Sequence, residues 1–267
     1  MSNILSPKDR IVVALDYKDP NDAKAVIDQL TAGTFFKIGM QLLFDVDPVT
    51  GVSQGFALAH YAKARGSKLF IDVKFGKDTP ETIRGAAYNL CKIADFITVH
   101  ARSGVDYLKN VQEGIASYAA DNPDMPVPTV LVVVILTSET EESLHSQGYT
   151  GTYDEIFDGF FRIAIEAGLS NFISPANQIA KIRTKLDKLG KDGVIISPGM
   201  KLTGGKANIG QVSTGTFRGA IAAGADYAVA GSGIKPERSG LPSFQDGLDA
   251  AVEEVRQGLA DLGGDKR

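Results

Sequence analysis

The chain has 267 residues with a hydrophobic content of 43%, enough to bury the core of one ordinary α/β domain. Its formal net charge of -4 comes from acids and bases spread along the sequence without a basic stripe, which argues against a nucleic-acid or membrane partner and favours a small-molecule substrate. The single cysteine, Cys91, excludes an intramolecular disulfide, and neither a signal-peptide pattern nor a membrane-length apolar run is present, so we expect a cytoplasmic protein.

Short apolar runs alternate with amphipathic segments along the chain, which predicts strands separated by helices. Continuous apolar strands are typical of a parallel sheet that is buried on both faces. Eight repeats in this length favour a (β/α)8 TIM barrel that forms a single domain over residues 1–267, with a doubly wound open sheet as the alternative. The predicted strands are IVVALD (11–16), FFKIG (35–39), LFIDVK (69–74), FITVH (96–100), VLVVVILT (130–137), NFISPA (171–176), GVIISPG (193–199) and YAVAGSG (227–233).

The third predicted strand runs into a highly charged stretch, IDVKFGKDTPETI (71–83). The two-residue period of a strand puts Asp72 and Lys74 on the same face, so we expect their side chains to point together. A helix start follows, and Asp78 or Thr79 can cap its first amides. The charges are therefore predicted to lie at the carboxyl end of a strand.

In a (β/α)8 barrel, the carboxyl ends of the strands converge on one mouth. We interpret the polar residues there as a functional cluster, and a structural layer of ion pairs is the alternative. A lone histidine at a strand end fits packing as well as catalysis. The polar residues at or near the carboxyl ends of the first five predicted strands are Asp16, Lys37, Asp72, Lys74, His100, Thr137 and Ser138.

The last two predicted strands end differently, in the glycine-containing segments SPGMK (197–201) and AGSGI (230–234). Glycine lets backbone N–H groups approach an anion closely. The loops after strands seven and eight form the usual phosphate site of this barrel. These segments therefore predict a ligand that carries a phosphate group.

The run DVKFGKDTPET (72–82) resembles the DxKxxDxPxT signature of the orotidine 5'-monophosphate decarboxylase family. The segments VALD, FKIG, LTS and SPG and a downstream Gln follow in the order of that family, between Asp16 and Gly233. The resemblance implies a homodimeric (β/α)8 barrel without cofactor or metal. It also implies decarboxylation of orotidine 5'-monophosphate to UMP in pyrimidine biosynthesis.

The resemblance further implies a role for each matching residue. Lys74 would be the proton donor, with Asp72 and Lys37 as flanking charges, and Asp78 would be contributed across the dimer interface. The substrate-binding residues would be Asp16 and Thr82 at the ribose, Ser138 at the pyrimidine edge, Gln211 between base and phosphate on a loop (200–214) that closes, and Thr137, Pro198, Lys201, Gly231, Ser232 and Gly233.

The chain departs from the family pattern at three places. One additional residue separates Lys74 from Asp78, and Lys201 stands where the family often has arginine. Ser232 stands where a phosphate-binding arginine is expected, so backbone amides at 231–233 are expected to hold the phosphate with less charge.

Two other functions stay open from the sequence. One is a sugar-phosphate decarboxylase or aldolase of the same suprafamily, which would use a divalent metal. The other is a non-catalytic nucleotide-binding barrel, which the missing arginine and the additional residue make plausible.

Overall fold

The computed structural model describes residues 5–205 and 215–263. Within this part of the chain, eight parallel strands close into a barrel in the strand order 1-10-7-6-5-4-3-2, and strands 8 and 9 form a separate two-stranded sheet. The predicted (β/α)8 barrel is therefore confirmed. The strands are β1 (Ile11–Ala14), β2 (Phe35–Gly39), β3 (Leu69–Phe75), β4 (Phe96–His100), β5 (Thr129–Val133), β6 (Phe172–Ile173), β7 (Ile195–Ser197), β8 (Met200–Lys201), β9 (Gly215–Thr216) and β10 (Tyr227–Ala230).

Helices fill the connections between the strands, and two of the described helices begin where the sequence supplies both a cap and a proline. Asp19 caps the helix that starts at Pro20, and Thr79 caps the helix that starts at Pro80. None of the helices in the described ranges is long and apolar enough to cross a membrane. They are α1 (Pro20–Gln29), α2 (Met40–Leu43), α3 (Gln54–Ala64), α4 (Pro80–Leu90), α5 (Val105–Asp121), α6 (Glu141–Ser146), α7 (Tyr153–Glu166), α8 (Ile179–Lys188), α9 (Phe217–Ala222), α10 (Pro236–Ser239) and α11 (Phe244–Asp261).

Several strands are shorter than their apolar runs predicted. The run 130–137 forms a strand only as far as Val133, although Val134 and Ile135 are also buried. Burial continues past the last residue of the strand because the chain still crosses the core there. An apolar run therefore marks burial rather than the end of a strand, and the predicted end at residue 137 is corrected to 133.

By the density of their contacts, the residues group into two compact units. The early-strand unit comprises residues 14–133 and 160–171 and contains β2 to β5. The late-strand unit comprises 5–13, 134–159, 172–205 and 215–263 and contains β6 to β10. The interpretation of residues 1–267 as one domain stays a prediction.

The carboxylate of Asp95 stabilises the amino end of β3 in the early-strand unit. Asp95 Oδ2 accepts a hydrogen bond from Leu69 N at 2.7 Å and lies 2.7 Å from Lys63 Nζ. The backbone N–H of Asp95 donates to Leu69 O at 2.8 Å. The first residue of β3 is thus held by both the backbone and the side chain of one aspartate.

The late-strand unit repeats this arrangement at the amino end of β7. Asp226 Oδ2 accepts from Ile195 N at 2.8 Å and from Arg183 Nη2 at 2.7 Å, while the N–H of Asp226 donates to Ile195 O at 2.8 Å. The Arg183 side chain is only 11% exposed. Arg183 also donates to Gly193 O and Gly224 O. Removal of the carboxylate would therefore leave a mostly buried cation without its counter-ion and the amide of Ile195 without an acceptor.

We predict that Asp226→Ala lowers the free energy of unfolding by about 3 kcal/mol, because Ile195 N loses its acceptor and the mostly buried Arg183 loses its counter-ion. The matched control is Asp261→Ala, which removes the carboxylate paired with Arg218, where the side chains are 39% and 51% exposed. That change should cost less than about 1 kcal/mol. Guanidinium chloride unfolding of the two variants measures the difference, and equal losses would contradict the prediction.

Candidate active site

Lys37 and Asp72 bring opposite charges together from neighbouring strands of the early-strand unit. β2 pairs with β3 in parallel, with Gly39 opposite Asp72. Lys37 Nζ lies 2.9 Å from Asp16 Oδ1 and 3.5 Å from Asp72 Oδ2. The ammonium of Lys37 is thus placed between two carboxylates.

Lys74 extends this set from the other side of Asp72. Its Nζ donates to Asp72 Oδ2 at 2.6 Å, as expected for two residues on one face of a strand. The four predicted residues form a chain of alternating charge in the order Asp16, Lys37, Asp72, Lys74. We call these four residues the charge chain.

The middle of the charge chain is buried and its two ends are accessible. The side chains of Lys37 and Asp72 are 9% and 5% exposed, whereas those of Lys74 and Asp16 are 28% and 57% exposed. The ammonium of Lys74 and the carboxylate of Asp16 are therefore the members that a bound molecule could reach.

The ion pairs keep the buried groups charged. Burial alone would raise the pKa of Asp72, but the charges of Lys37 and Lys74 outweigh burial and hold the pKa below its ordinary value. Burial alone would lower the pKa of Lys37, but Asp16 and Asp72 outweigh it and hold that pKa above its ordinary value. The site therefore presents fixed charges in a region that excludes most water.

A bulge in β3 positions the charge chain. The register with β4 shifts between Ile71 and Phe75, and Lys74 has a φ of +46°, in the left-handed region that non-glycine residues rarely adopt. The Thr98 hydroxyl on β4 accepts from Lys74 N at 2.9 Å and donates to Asp72 Oδ1 at 2.8 Å. Sequence reasoning missed Thr98, although its position two residues before His100 in FITVH puts it on the face of that strand-end histidine.

Asp78 and Thr82 lie beyond the bulge and are exposed, Asp78 just before α4 and Thr82 in its first turn. Asp78 Oδ1 accepts from Thr79 N at 2.6 Å, and the hydroxyls of Thr79 and Thr82 are 2.8 Å apart. Within the described part of this chain, no ion pair joins Asp78 to Lys74. The structure therefore does not bring Asp78 and Thr82 together with the charge chain.

The residues predicted after β5 lie in the late-strand unit, and one of them lines a cavity. Thr137 is half-buried and Ser138 is exposed. Thr137 lines a cavity of about 220 Å³ together with Glu139 and Gln178, neither of which was predicted from the sequence. Gln178 is only 7% exposed, so a polar amide lies at an otherwise buried position of the cavity wall.

The predicted phosphate residues also lie in the late-strand unit. Pro198 is half-buried after β7, Lys201 is in β8, and the turn Ser232–Ile234 follows Gly231 directly after β10. Ser232 is exposed and Gly233 is buried. β8 contacts both β10 and this turn. Gln211 lies outside the described residues.

A dedicated metal cage is not found in the described residues. Across 5–205 and 215–263, no group of three or more His, Cys, Asp or Glu side chains has an arrangement that could hold a metal ion. The acids of the charge chain are paired with lysines instead.

Comparisons with known proteins agree with one another. The sequence profile described as "Orotidine 5'-phosphate decarboxylase / HUMPS family" matches residues 9–239. A relative from Nostoc sp. named orotidine 5'-phosphate decarboxylase is 33% identical over 232 residues, which cover 85% of this chain and 90% of the relative. A relative of the same name from Heliobacterium modesticaldum is 30% identical over 260 residues, which cover 96% and 99%.

A solved structure agrees in fold. The crystal structure of orotidine 5'-phosphate decarboxylase from Lactobacillus acidophilus aligns with a TM-score of 0.73 and 22% identity, covering 92% of this chain and 98% of that chain.

We predict that Asp72→Asn lowers the free energy of unfolding by about 3 kcal/mol at neutral pH, because it leaves the buried ammonium of Lys37 and the adjacent ammonium of Lys74 without their shared carboxylate. The pKa of Asp72 is lowered by folding from 3.8, so its stabilisation is fully present above that value and is lost as the pH falls through the lower folded-state pKa. The gap between wild type and variant should stay constant from about pH 5 to pH 8 and narrow below about pH 4.

Chemical unfolding at a series of pH values tests this. Asp16→Asn is the control, and its smaller loss reflects a carboxylate that is 57% exposed. A gap that stays unchanged down to pH 2 would contradict the assignment of an ionised Asp72.

Proposed function

The chain belongs to the orotidine 5'-phosphate decarboxylase / HUMPS family, and we propose that it is a carboxy-lyase that converts orotidine 5'-monophosphate to UMP in pyrimidine biosynthesis without a cofactor. The observation that carries the proposal is the buried charge chain, whose accessible end is the ammonium of Lys74. The relatives' name, orotidine 5'-phosphate decarboxylase, supports this reaction over others in the family.

Lys74 would act as the proton donor. The bond between C6 of the pyrimidine and its carboxyl group breaks, carbon dioxide leaves, and the electron pair stays on C6. The ammonium of Lys74 stabilises this developing negative charge and transfers a proton to C6. Lys74 then regains a proton from solvent, so the reaction consumes one proton overall.

Asp72 and Lys37 would supply the electrostatic setting of that step. Asp72 holds the Lys74 ammonium in place, and its fixed negative charge would also lie near the carboxylate of the substrate. Two like charges about 4 Å apart repel by roughly 4 kcal/mol at an effective dielectric constant near 20, and departure of carbon dioxide relieves the repulsion. The positive charge of Lys37 keeps Asp72 ionised during this step.

The rest of the nucleotide would be bound by the remaining predicted residues. Asp16 at the accessible end of the charge chain and Thr82 on α4 would hold the ribose, and Thr137 and Ser138 the base. Support for the base site comes from the cavity that Thr137 lines. The phosphate would meet the predicted set Pro198, Lys201, Gln211, Gly231, Ser232 and Gly233, with Lys201 as its cation.

We also propose a homodimer, in which Asp78 reaches the active site of the second chain. Its support is an apolar patch on residues 40–56, which follow the carboxyl end of β2 as Asp78 follows that of the adjacent β3. Exposed apolar clusters of this kind mark interaction surfaces. The patch residues are Met40, Phe44, Val46, Val49, Val52 and Phe56, with Phe44 76% and Val49 91% exposed.

The proposed location is the cytoplasm, where free thiols are kept reduced. Cys91, the single cysteine, is buried in the early-strand unit. Burial raises the pKa of its thiol to about 11, which leaves it uncharged at neutral pH.

We predict that Lys74→Ala abolishes turnover by many powers of ten while the fold survives, since the variant loses both a proton donor and a stabilising charge. Lys77→Ala is the matched control, because Lys77 is an exposed lysine three positions further along. The absorbance change of orotidine 5'-monophosphate measures turnover, with and without EDTA.

Each outcome of this assay has a distinct meaning. Retention of most of the turnover in Lys74→Ala would overturn the assignment of Lys74, whatever Lys77→Ala does. Loss of wild-type turnover with EDTA would favour a metal-dependent enzyme. Tight binding of UMP without wild-type turnover would favour a non-catalytic nucleotide-binding barrel.

We predict that mixing inactive Lys74→Ala chains with inactive Asp78→Ala chains restores activity, because one site of each hybrid dimer then has both residues intact. Random exchange of chains should restore about a quarter of the sites. Mixing Lys74→Ala with Asp72→Ala is the control, since both residues belong to one chain's charge chain and no hybrid site is complete. If labelled chains exchange and no activity returns, Asp78 does not cross the interface.

A further inference from the structure

We infer that Thr98 is the positioning residue of the active site, and that its hydroxyl sets the geometry of Lys74 and Asp72 for the proton transfer. The inference rests on the proposed decarboxylation. Thr98 is fully buried in the middle of β4, and its contacts lie within the early-strand unit. Its hydroxyl contacts the backbone N–H of Lys74 and the carboxylate of Asp72 rather than the ammonium of Lys74, so Thr98 is a positioning residue and not a catalytic residue.

The neighbours of Thr98 fix its hydroxyl both as a hydrogen-bond acceptor and as a hydrogen-bond donor. Because Lys74 N–H donates to Oγ1 at 2.9 Å, the hydroxyl proton is free to point at Asp72 Oδ1, 2.8 Å away. An ionised carboxylate can only accept at that position. One side chain on β4 therefore holds the backbone of one site residue and the carboxylate of another.

The contact with the backbone holds the strained part of β3. Lys74 at a φ of +46° is in a conformation that costs a non-glycine residue free energy, and it lies where the register with β4 shifts. At this point its N–H donates to the hydroxyl oxygen of Thr98. Without it, the bulge would relax and the stem of Lys74 would point elsewhere.

The contact with the carboxylate fixes the rotation of Asp72. With Oδ1 held by Thr98, Oδ2 faces both ammonium groups, 2.6 Å from Lys74 Nζ and 3.5 Å from Lys37 Nζ. Rotation of the carboxylate would weaken both contacts together. A displacement of about 1 Å at a reacting group is enough to cost roughly a hundredfold in rate.

The test compares variants that differ in one hydroxyl. Thr98→Val removes the hydroxyl and keeps the side-chain shape, while Thr98→Ser keeps the hydroxyl. The matched control is Thr34→Val, because Thr34 is also buried in the early-strand unit and its hydroxyl donates to Thr31 O at 2.7 Å, at the amino end of β2. The measurements are kcat and KM for orotidine 5'-monophosphate, the unfolding midpoint, and hydrogen exchange at the Lys74 amide.

We expect Thr98→Val to lower kcat by roughly ten- to a hundredfold with KM changed less than about threefold, and Thr98→Ser to restore most of kcat. Thr34→Val should lose stability and keep kcat. The inference is overturned if Thr98→Val keeps kcat, if Thr98→Ser loses as much as Thr98→Val, or if KM carries the loss. If Thr98→Val does not fold, Thr98→Ala supplies the comparison without a hydroxyl.

Failure of the proposed function is recognised separately. A wild-type protein that does not turn over orotidine 5'-monophosphate overturns that function, and hydrogen exchange then decides the role of Thr98. Faster exchange of the Lys74 amide in Thr98→Val than in wild type and Thr98→Ser supports positioning. Equal exchange in all three overturns it.

Discussion

The carboxylate of Asp72 is shared between two lysines, and the geometry of the site depends on that sharing. A carboxylate that is 5% exposed is costly to bury alone, and so is the ammonium of Lys37 at 9%. Each charge is tolerable because opposite charges are adjacent: Lys37 has Asp16 and Asp72 beside it, and Lys74 adds a second cation to the same oxygen of Asp72. Such an arrangement requires strands β2 and β3 to pair in one register, since a shift by one residue would turn a side chain to the opposite face.

The ion pairs that stabilise the strands lie at their amino ends, whereas the charges of the candidate site lie at their carboxyl ends. At the amino ends, Asp95 and Asp226 each hold the first amide of a strand and a cation from a helix. At the carboxyl ends, the aspartates Asp16 and Asp72 hold lysines that lie on strands. The aspartates at the amino ends satisfy the hydrogen bonds of neighbouring groups, whereas the arrangement at the carboxyl ends leaves the ammonium of Lys74 accessible. Substitutions at the amino ends should therefore change unfolding without changing the reacting groups.

The sequence was sufficient for the family, the barrel and the pairing of Asp72 with Lys74, because each depends on periodicity or on a local motif. It was insufficient for the ends of strands, since Val134 and Ile135 are buried without extending β5. It also missed Thr98, because the bulge that this hydroxyl fills arises from a register shift between strands about two dozen positions apart. Local periodicity carries no information on such a shift.

The additional residue between Lys74 and Asp78 can be understood from the bulge. The register shift is complete at Phe75, and Thr98 holds the chain at Lys74, so the geometry of Lys74 and Asp72 is set before the additional residue is reached. The longer connection therefore changes only where the Asp78 carboxylate can lie, and in this chain it lies on Thr79 N. If Asp78 acts on a neighbouring chain, a longer exposed loop lets its carboxylate extend further. If Asp78 instead had to contact Lys74 of its own chain, the additional residue would move the carboxylate out of position. The added length is thus compatible with the proposed role of Asp78 across a dimer interface and does not alter the geometry of Lys74, the proposed proton donor.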